Sequence, residues 1–141
     1  MATTNSKAQW NGTIKNGGGK MVFNKNEVPY TFASRFENAP GCSPEDLLGA
    51  AHAGCFSMYL ALLLSKEGLI PASITTNAVV TLDKDDIGPS ITKIALDCKV
   101  DCPELSIDTL QELAAITKSN CPVSRLYDGG TAKVDLAVSL R

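Results

Sequence analysis

One uncharged stretch constrains the fold of this chain more than any other feature. Residues 47–64, LLGAAHAGCFSMYLALLL, contain no Asp, Glu, Lys or Arg over 18 positions. Residues 43–46 (SPED) precede it, and a hydroxyl N-cap, a proline at the first helical position and acids in the first turn predict a helix start there. Gly68 and Pro71 predict the end of the helix. We therefore expect one long helix that is apolar on every side.

Two interpretations of this helix are open. Its length approaches the roughly 20 residues of a membrane span. However, His52, Ser57, two glycines and several alanines dilute its hydrophobicity, and sheet-forming segments lie on both sides of it. We favour a helix buried on most faces, and in so small a domain a second subunit is one way to cover it.

The remaining segments predict strands and two shorter helices. Strands are expected at 8–15, 20–24, 28–36, 73–82, 91–100 and 131–140, and helices at 106–119 and directly after Cys121-Pro122. The order βββ-α-ββ-αα-β is an α+β fold with a long buried central helix, in one domain over residues 1–141. Residues 1–7 are polar and expected to be frayed.

Two of these segments have a clear apolar periodicity. Strand 91–100 alternates, which predicts one buried face made of Ile94, Leu96, Cys98 and Val100. Helix 106–119 carries a helical stripe made of Leu110, Leu113, Ala114 and Thr117.

Charge and cysteine content limit the classes of function. The net charge of -2 argues against binding to nucleic acid. The first residues lack the apolar core of a signal peptide, so the cytoplasm is the expected compartment. Five cysteines are an odd number, which favours thiols or redox centres over structural disulfides.

The cysteines differ in what their positions predict. Cys98 lies on the apolar strand face and is expected in the core, while Cys42 falls on a loop. Cys98 and Cys102 lack a second ligand pair, so no metal site is expected. Cys55 lies within the long helix, where packing and reactivity are both open. Cys121 precedes Pro122, and a helix N-terminus there would stabilise a thiolate.

Three segments resemble the OsmC/Ohr family of osmotically inducible and organic hydroperoxide resistance proteins. They are residues 43–58 (SPEDLLGAAHAGCFSM), residues 91–96 (ITKIAL) and residues 121–124 (CPVS), with further similarity over 30–37. Arg35 precedes the cysteine helix, which resembles the OsmC branch, whereas the first strand offers only Lys15.

The resemblance implies a thiol peroxidase with four site residues. Cys55 would be the peroxidatic cysteine and Cys121 the resolving cysteine, forming a disulfide with it. Arg35, an always-charged planar donor, would stabilise the thiolate and the peroxide. Glu45 would orient Arg35, although simple charge capping of the helix is the alternative role. His52, the single histidine, is expected to be packed or at a dimer interface rather than to act as a general base.

The resemblance also implies partners. An intertwined homodimer is expected, with organic hydroperoxides as substrates and a lipoylated or other dithiol as the external reductant. No cofactor motif such as GxGxxG is present, so electrons are expected to arrive by thiol exchange. Other possible classes are a small-ligand or lipid-binding module and a peroxide-sensing redox switch without turnover.

Overall fold

The computed structural model describes residues 1–141 and has a mixed α+β fold. Its elements are β1 Ser6–Asn11, β2 Gly18–Phe23, β3 Asn26–Tyr30, α1 Phe32–Phe36, α2 Pro44–Lys66, β4 Ser73–Lys84, β5 Pro89–Asp101, α3 Ile107–Asn120, α4 Pro122–Tyr127 and β6 Lys133–Leu140. The predicted fold class is confirmed, with one short helix added before the long one. The chain divides into two compact units, Met1–Leu47 and Leu48–Arg141. The expectation of one domain stays a prediction.

The first unit contains an antiparallel sheet in the order β1-β2-β3. Strand β1 begins at Ser6, which pairs with Phe23, so part of the segment expected to be frayed is ordered in the sheet. The Trp10 and Tyr30 rings pack with their centroids 5.2 Å apart. Strand β1, Ser6–Asn11, starts two residues earlier and ends four residues earlier than the predicted strand 8–15.

The prediction of a strand over residues 28–36 is wrong in its second half, which forms helix α1. The Thr31 side chain accepts a hydrogen bond from the Ser34 backbone, and the Ser34 hydroxyl accepts one from the Thr31 backbone. This capping box satisfies two of the backbone N–H groups that a helix start would otherwise leave unpaired. The Phe32 and Phe36 rings, one helical turn apart, also pack at 4.9 Å.

Helix α2 begins and ends where the sequence predicts. The Ser43 hydroxyl accepts a hydrogen bond from the Asp46 backbone at 3.1 Å, and Pro44 is the first helical residue. Gly68 adopts a φ of 75°, and the N–H of Leu69 donates to the carbonyl of Leu64 at 2.9 Å. This conformation and this hydrogen bond form a glycine C-cap, which gives a carbonyl of the last helical turn a partner.

The second unit has its core between one sheet face and its helices. Strand β5 lies between β4, which is antiparallel to it, and β6, which is parallel and reached through α3 and α4. The predicted alternation of β5 and the stripe of α3 are confirmed, since all their inward residues are buried. Helix α2 contributes three fully buried apolar side chains to this core: Phe56, Leu60 and Leu64.

The opposite face of α2 is not covered within one chain. Met58 and Leu62 are 78% and 49% exposed. The helix is long and apolar enough to cross a bilayer, and 28% of its apolar window is buried, but core helices of water-soluble proteins meet the same criterion. A single chain thus buries one stripe of α2 and leaves an apolar face open.

The α3 stripe provides a test of where stability resides. Leu110 is fully buried, and Leu110→Ala is expected to lower the free energy of unfolding by about 2–5 kcal/mol because it leaves a cavity. Ile116 lies on the same helix but is 43% exposed, so Ile116→Ala should cost about 1 kcal/mol or less. Denaturant unfolding measures both, and equal losses would contradict the assigned core.

Candidate active site

Two cysteines meet in the second unit. Cys55 lies within α2, and Cys121 lies at the junction where α3 ends and α4 begins. The Cys121 thiol donates to the Cys55 sulfur, with 2.6 Å between the two Sγ atoms. Both are free thiols, Cys121 fully buried and Cys55 partly exposed. Residues 66 positions apart in sequence are thus poised for a disulfide with little movement.

The structure explains why Cys121 can point at Cys55. Cys121 is the N-cap of α4, followed by Pro122 at the first helical position, as the sequence predicts. Its side chain makes no capping hydrogen bond, so the sulfur is directed to Cys55 rather than to the backbone of α4.

The surroundings of Cys55 favour its neutral thiol. Burial raises the pKa of Cys55 above the ordinary value, the contact with Cys121 raises this pKa further, and a backbone hydrogen bond from Val123 opposes the change. A thiolate is the reactive form of cysteine. A reaction that begins at Cys55 therefore needs a cationic group to stabilise the thiolate.

Arg35 and Glu45 form a tight pair within the first unit. Arg35 lies in the last turn of α1 and not on a strand, and Glu45 lies in the first turn of α2. The Nη2 atom of Arg35 is 2.6 Å from Oε1 of Glu45, and Nε lies 3.1 Å from Oε2. The Glu45 side chain is 10% exposed and that of Arg35 35% exposed. This two-point contact fixes the plane of a guanidinium that remains accessible.

His52 is packed in the interior of the second unit, which agrees with one of the two expected roles. Its Nε2 atom is 2.8 Å from the hydroxyl of Ser124, and its ring packs edge-on against Tyr127 with 5.3 Å between centroids. Burial lowers the pKa of His52, so its ring is neutral at pH 7. The buried Nδ1 atom has no hydrogen-bond partner.

The other three cysteines take no part in this contact. Cys98 and Cys102 are buried in the core, and Cys42 is partly exposed with its thiol directed to the Ser43 carbonyl. No group of three or more His, Cys, Asp or Glu side chains is arranged to hold a metal ion.

Sequence reasoning assigned no role to Ser124, although the residue belongs to the quoted CPVS motif. Ser124 is 6% exposed and bonds His52 from the first turn of α4. The sequence does show a serine three residues after a helix-capping cysteine. It gives no sign that this serine bonds His52, because the two residues are 72 positions apart.

Sequence and structure comparisons place these features in one family. The family model for OsmC-like proteins matches residues 37–137. A protein named peroxiredoxin OsmC from Escherichia coli (strain K12) is 46% identical over 123 residues, covering 85% of this chain and 86% of the relative. An OsmC-like protein from Mycoplasma pneumoniae has a TM-score of 0.79 at 16% identity, covering 99% of this chain and 97% of its own. An organic hydroperoxide resistance protein OsmC from Legionella pneumophila has a TM-score of 0.76 at 21% identity and 99% coverage of both chains. This chain therefore belongs to the OsmC family of proteins.

Proposed function

We propose that this chain is a thiol-dependent peroxidase, a peroxiredoxin-like hydroperoxide reductase. The Cys55 thiolate attacks the terminal oxygen of a hydroperoxide, the O–O bond breaks, and the products are a sulfenic acid and, after protonation, an alcohol. The Cys121 sulfur then attacks the Cys55 sulfur, which forms the disulfide and releases water. The identity of 46% to a named peroxiredoxin supports this class of activity.

The observation that carries the proposal is the separation of 2.6 Å between the Cys55 and Cys121 sulfur atoms. A sulfenic acid on Cys55 would have its reaction partner in contact, so the second step needs no large motion. Disulfides in the cytosol are usually transient and catalytic or redox-sensing, so a thiol pair in contact fits a catalytic role.

Arg35 is proposed to supply the cation that Cys55 lacks in its own surroundings. A guanidinium offers several donors in one plane, which suits a thiolate and two peroxide oxygens together. The two-point contact with Glu45 supports a role for Glu45 in orienting that plane. Glu45 is therefore proposed as a positioning residue, beyond its effect on the helix dipole.

The substrates are proposed to be organic hydroperoxides, with hydrogen peroxide used more weakly. Apolar side chains near Cys55 in sequence that are not fully buried, among them Leu48 and Met58, suit an alkyl tail. An external dithiol, of lipoyl type by family resemblance, would reduce the disulfide, and no bound cofactor is needed. We place the enzyme in the cytoplasm, in defence against oxidative and osmotic stress.

Steady-state kinetics test this function against the other classes. With an alkyl hydroperoxide and excess dihydrolipoamide, we expect continuous peroxide consumption. Without the dithiol, one equivalent of peroxide should remove two of the five thiols of each chain. A binding module would lose no thiols, and a redox sensor would lose two without sustained consumption; either outcome would contradict the proposal.

We propose that the active form is a homodimer. The exposed face of α2, which includes Met58 and Leu62, is apolar and continuous along the helix. Obligate interfaces are apolar like the core of a domain. A second copy of the chain that packs against this face would bury its apolar side chains in such an interface. Light scattering at micromolar concentration should give twice the chain mass of 14.9 kDa. A mass equal to that of one chain would contradict the dimer.

A mixed dimer tests whether each site is shared between subunits. One chain carries Arg35→Ala and the other carries Cys55→Ser. If Arg35 and Cys55 of one site come from different chains, half of the sites keep both residues and half of the activity remains. If both come from the same chain, no intact site exists and the mixed dimer is inactive.

A further inference from the structure

We propose that His52 is a positioning residue that, through its hydrogen bond to Ser124, holds the start of α4 so that Cys121 stays against Cys55. The inference rests on the proposed function and adds to it a role in the second chemical step. His52 and Ser124 touch neither the peroxide nor the reacting sulfur atoms in this role.

The placement of the two residues supports this link. His52 lies one helical turn before Cys55 on α2, and Ser124 lies three residues after Cys121 in the first turn of α4. The His52 Nε2 and Ser124 Oγ atoms are 2.8 Å apart, and both residues are buried, at 0% and 6% exposure. This buried hydrogen bond joins the segments that carry the two cysteines, in addition to the contact between the two sulfur atoms and the bond from the Val123 backbone to Cys55.

Helix α4 is short and needs an anchor from outside itself. It has six residues, and its N-cap, Cys121, provides no side-chain hydrogen bond to the first turn. The His52 ring contacts both ends of this helix, because it bonds Ser124 and packs edge-on against Tyr127. A six-residue helix is too short to be stable alone, so tertiary contacts such as these fix its position.

The hydrogen bond to Ser124 is the only one that the His52 ring makes. Its Nδ1 atom is buried without a partner, and burial keeps the ring neutral. Loss of the Ser124 hydroxyl would leave both ring nitrogens unpaired in the interior, so the ring and α4 would shift to find water or new partners. A displacement of about 1 Å at reacting atoms can slow a reaction about a hundredfold.

Three variants isolate this bond. Ser124→Ala removes the hydroxyl, and His52→Phe removes both ring nitrogens while keeping a ring against Tyr127. Ser124→Thr retains the hydroxyl and adds one methyl group at a residue that lines a cavity of about 290 Å³. The matched control is Ser57→Ala, because the Ser57 hydroxyl also lies on α2 but bonds Thr76 of β4, at 2.7 Å.

The rates of the two steps are measured separately after a pulse of alkyl hydroperoxide. We expect Ser124→Ala and His52→Phe each to slow disulfide formation about 10- to 100-fold. The rate of sulfenic acid formation should change far less, because that step does not use the Cys121 sulfur. The double variant should be no slower than either single one, because both remove the same bond. Ser124→Thr and Ser57→Ala should form the disulfide at nearly the wild-type rate.

A glutathione equilibrium gives a second readout that does not depend on peroxidase activity. The Cys55–Cys121 disulfide should become easier to reduce in Ser124→Ala, by about the same factor as its formation slows.

Two results would overturn the inference: a wild-type rate and a wild-type equilibrium in Ser124→Ala, or equal slowing of disulfide formation in Ser57→Ala. If Ser124→Ala does not fold, His52→Phe decides by the same criteria. A wild-type chain that forms no disulfide with peroxide would overturn the proposed function, and the glutathione equilibrium would still decide this inference.

Discussion

The Cys55→Ser variant is expected to consume no hydroperoxide above the uncatalysed rate. A serine hydroxyl stays protonated near neutral pH and cannot replace a thiolate as the attacking group on the O–O bond. The partner of Cys55, Cys121, is fully buried, so it cannot take over the first step. Peroxide consumption with excess dithiol measures the loss.

The Cys121→Ser variant should behave differently and separate the two roles. Without added dithiol, it should react with one equivalent of peroxide and then stop, with Cys55 held as a sulfenic acid. Cys42→Ser is the matched control, because the Cys42 thiol is directed to the Ser43 carbonyl and has no proposed role in either step. Retained turnover in Cys55→Ser, or a full loss in Cys42→Ser, would show that the cysteine roles are assigned wrongly.

Arg35→Lys is expected to lower the rate at neutral pH about 10- to 100-fold although the positive charge is kept. Lysine lacks the planar fork that makes two contacts with Glu45, so its charge would not be held in one orientation. Burial already raises the pKa of Cys55. In the role proposed for Arg35, a cation that is less well oriented stabilises the thiolate less and so raises this pKa further. The fraction of thiolate at neutral pH therefore falls, and the rate should rise only at higher pH than in wild type.

The pH dependence of Cys55 alkylation and of peroxide reduction measures this shift. Lys20→Ala provides the control, since Lys20 and Glu27 form an ion pair of the same 2.6 Å length in the same unit but are largely exposed. It should leave both profiles unchanged. If Arg35→Lys also left them unchanged, another group would have to ionise Cys55.

The long helix and the second sheet could be predicted because their signals are local. The bounds of α2 follow from a proline-led start and from Gly68, which takes a positive φ. The buried faces of β5 and α3 follow from periodicity alone. Residues 32–36 were mispredicted because aromatic residues favour strands, while a capping box at Thr31 and Ser34 made the helix more stable.

The site could be predicted only in part, because its residues are distant in sequence. Spacing alone identified Cys121 as a helix-capping thiol but did not bring it to Cys55, and only the family resemblance paired the two. The contact between Arg35 and Glu45 was likewise suggested by resemblance. The partner of His52 depends on how α4 packs in the second unit, which no local pattern in the sequence encodes.

Mass spectrometry of a peptide map, before and after one equivalent of an alkyl hydroperoxide, tests the central claim most directly. Free thiols are alkylated before digestion, so each of the five cysteines is scored as a thiol or as an oxidised form. We predict one new species, a cross-linked peptide joining Cys55 and Cys121, with Cys42, Cys98 and Cys102 still alkylated. Oxidation that leaves Cys55 and Cys121 as thiols, or a disulfide between any other two cysteines, would contradict the account.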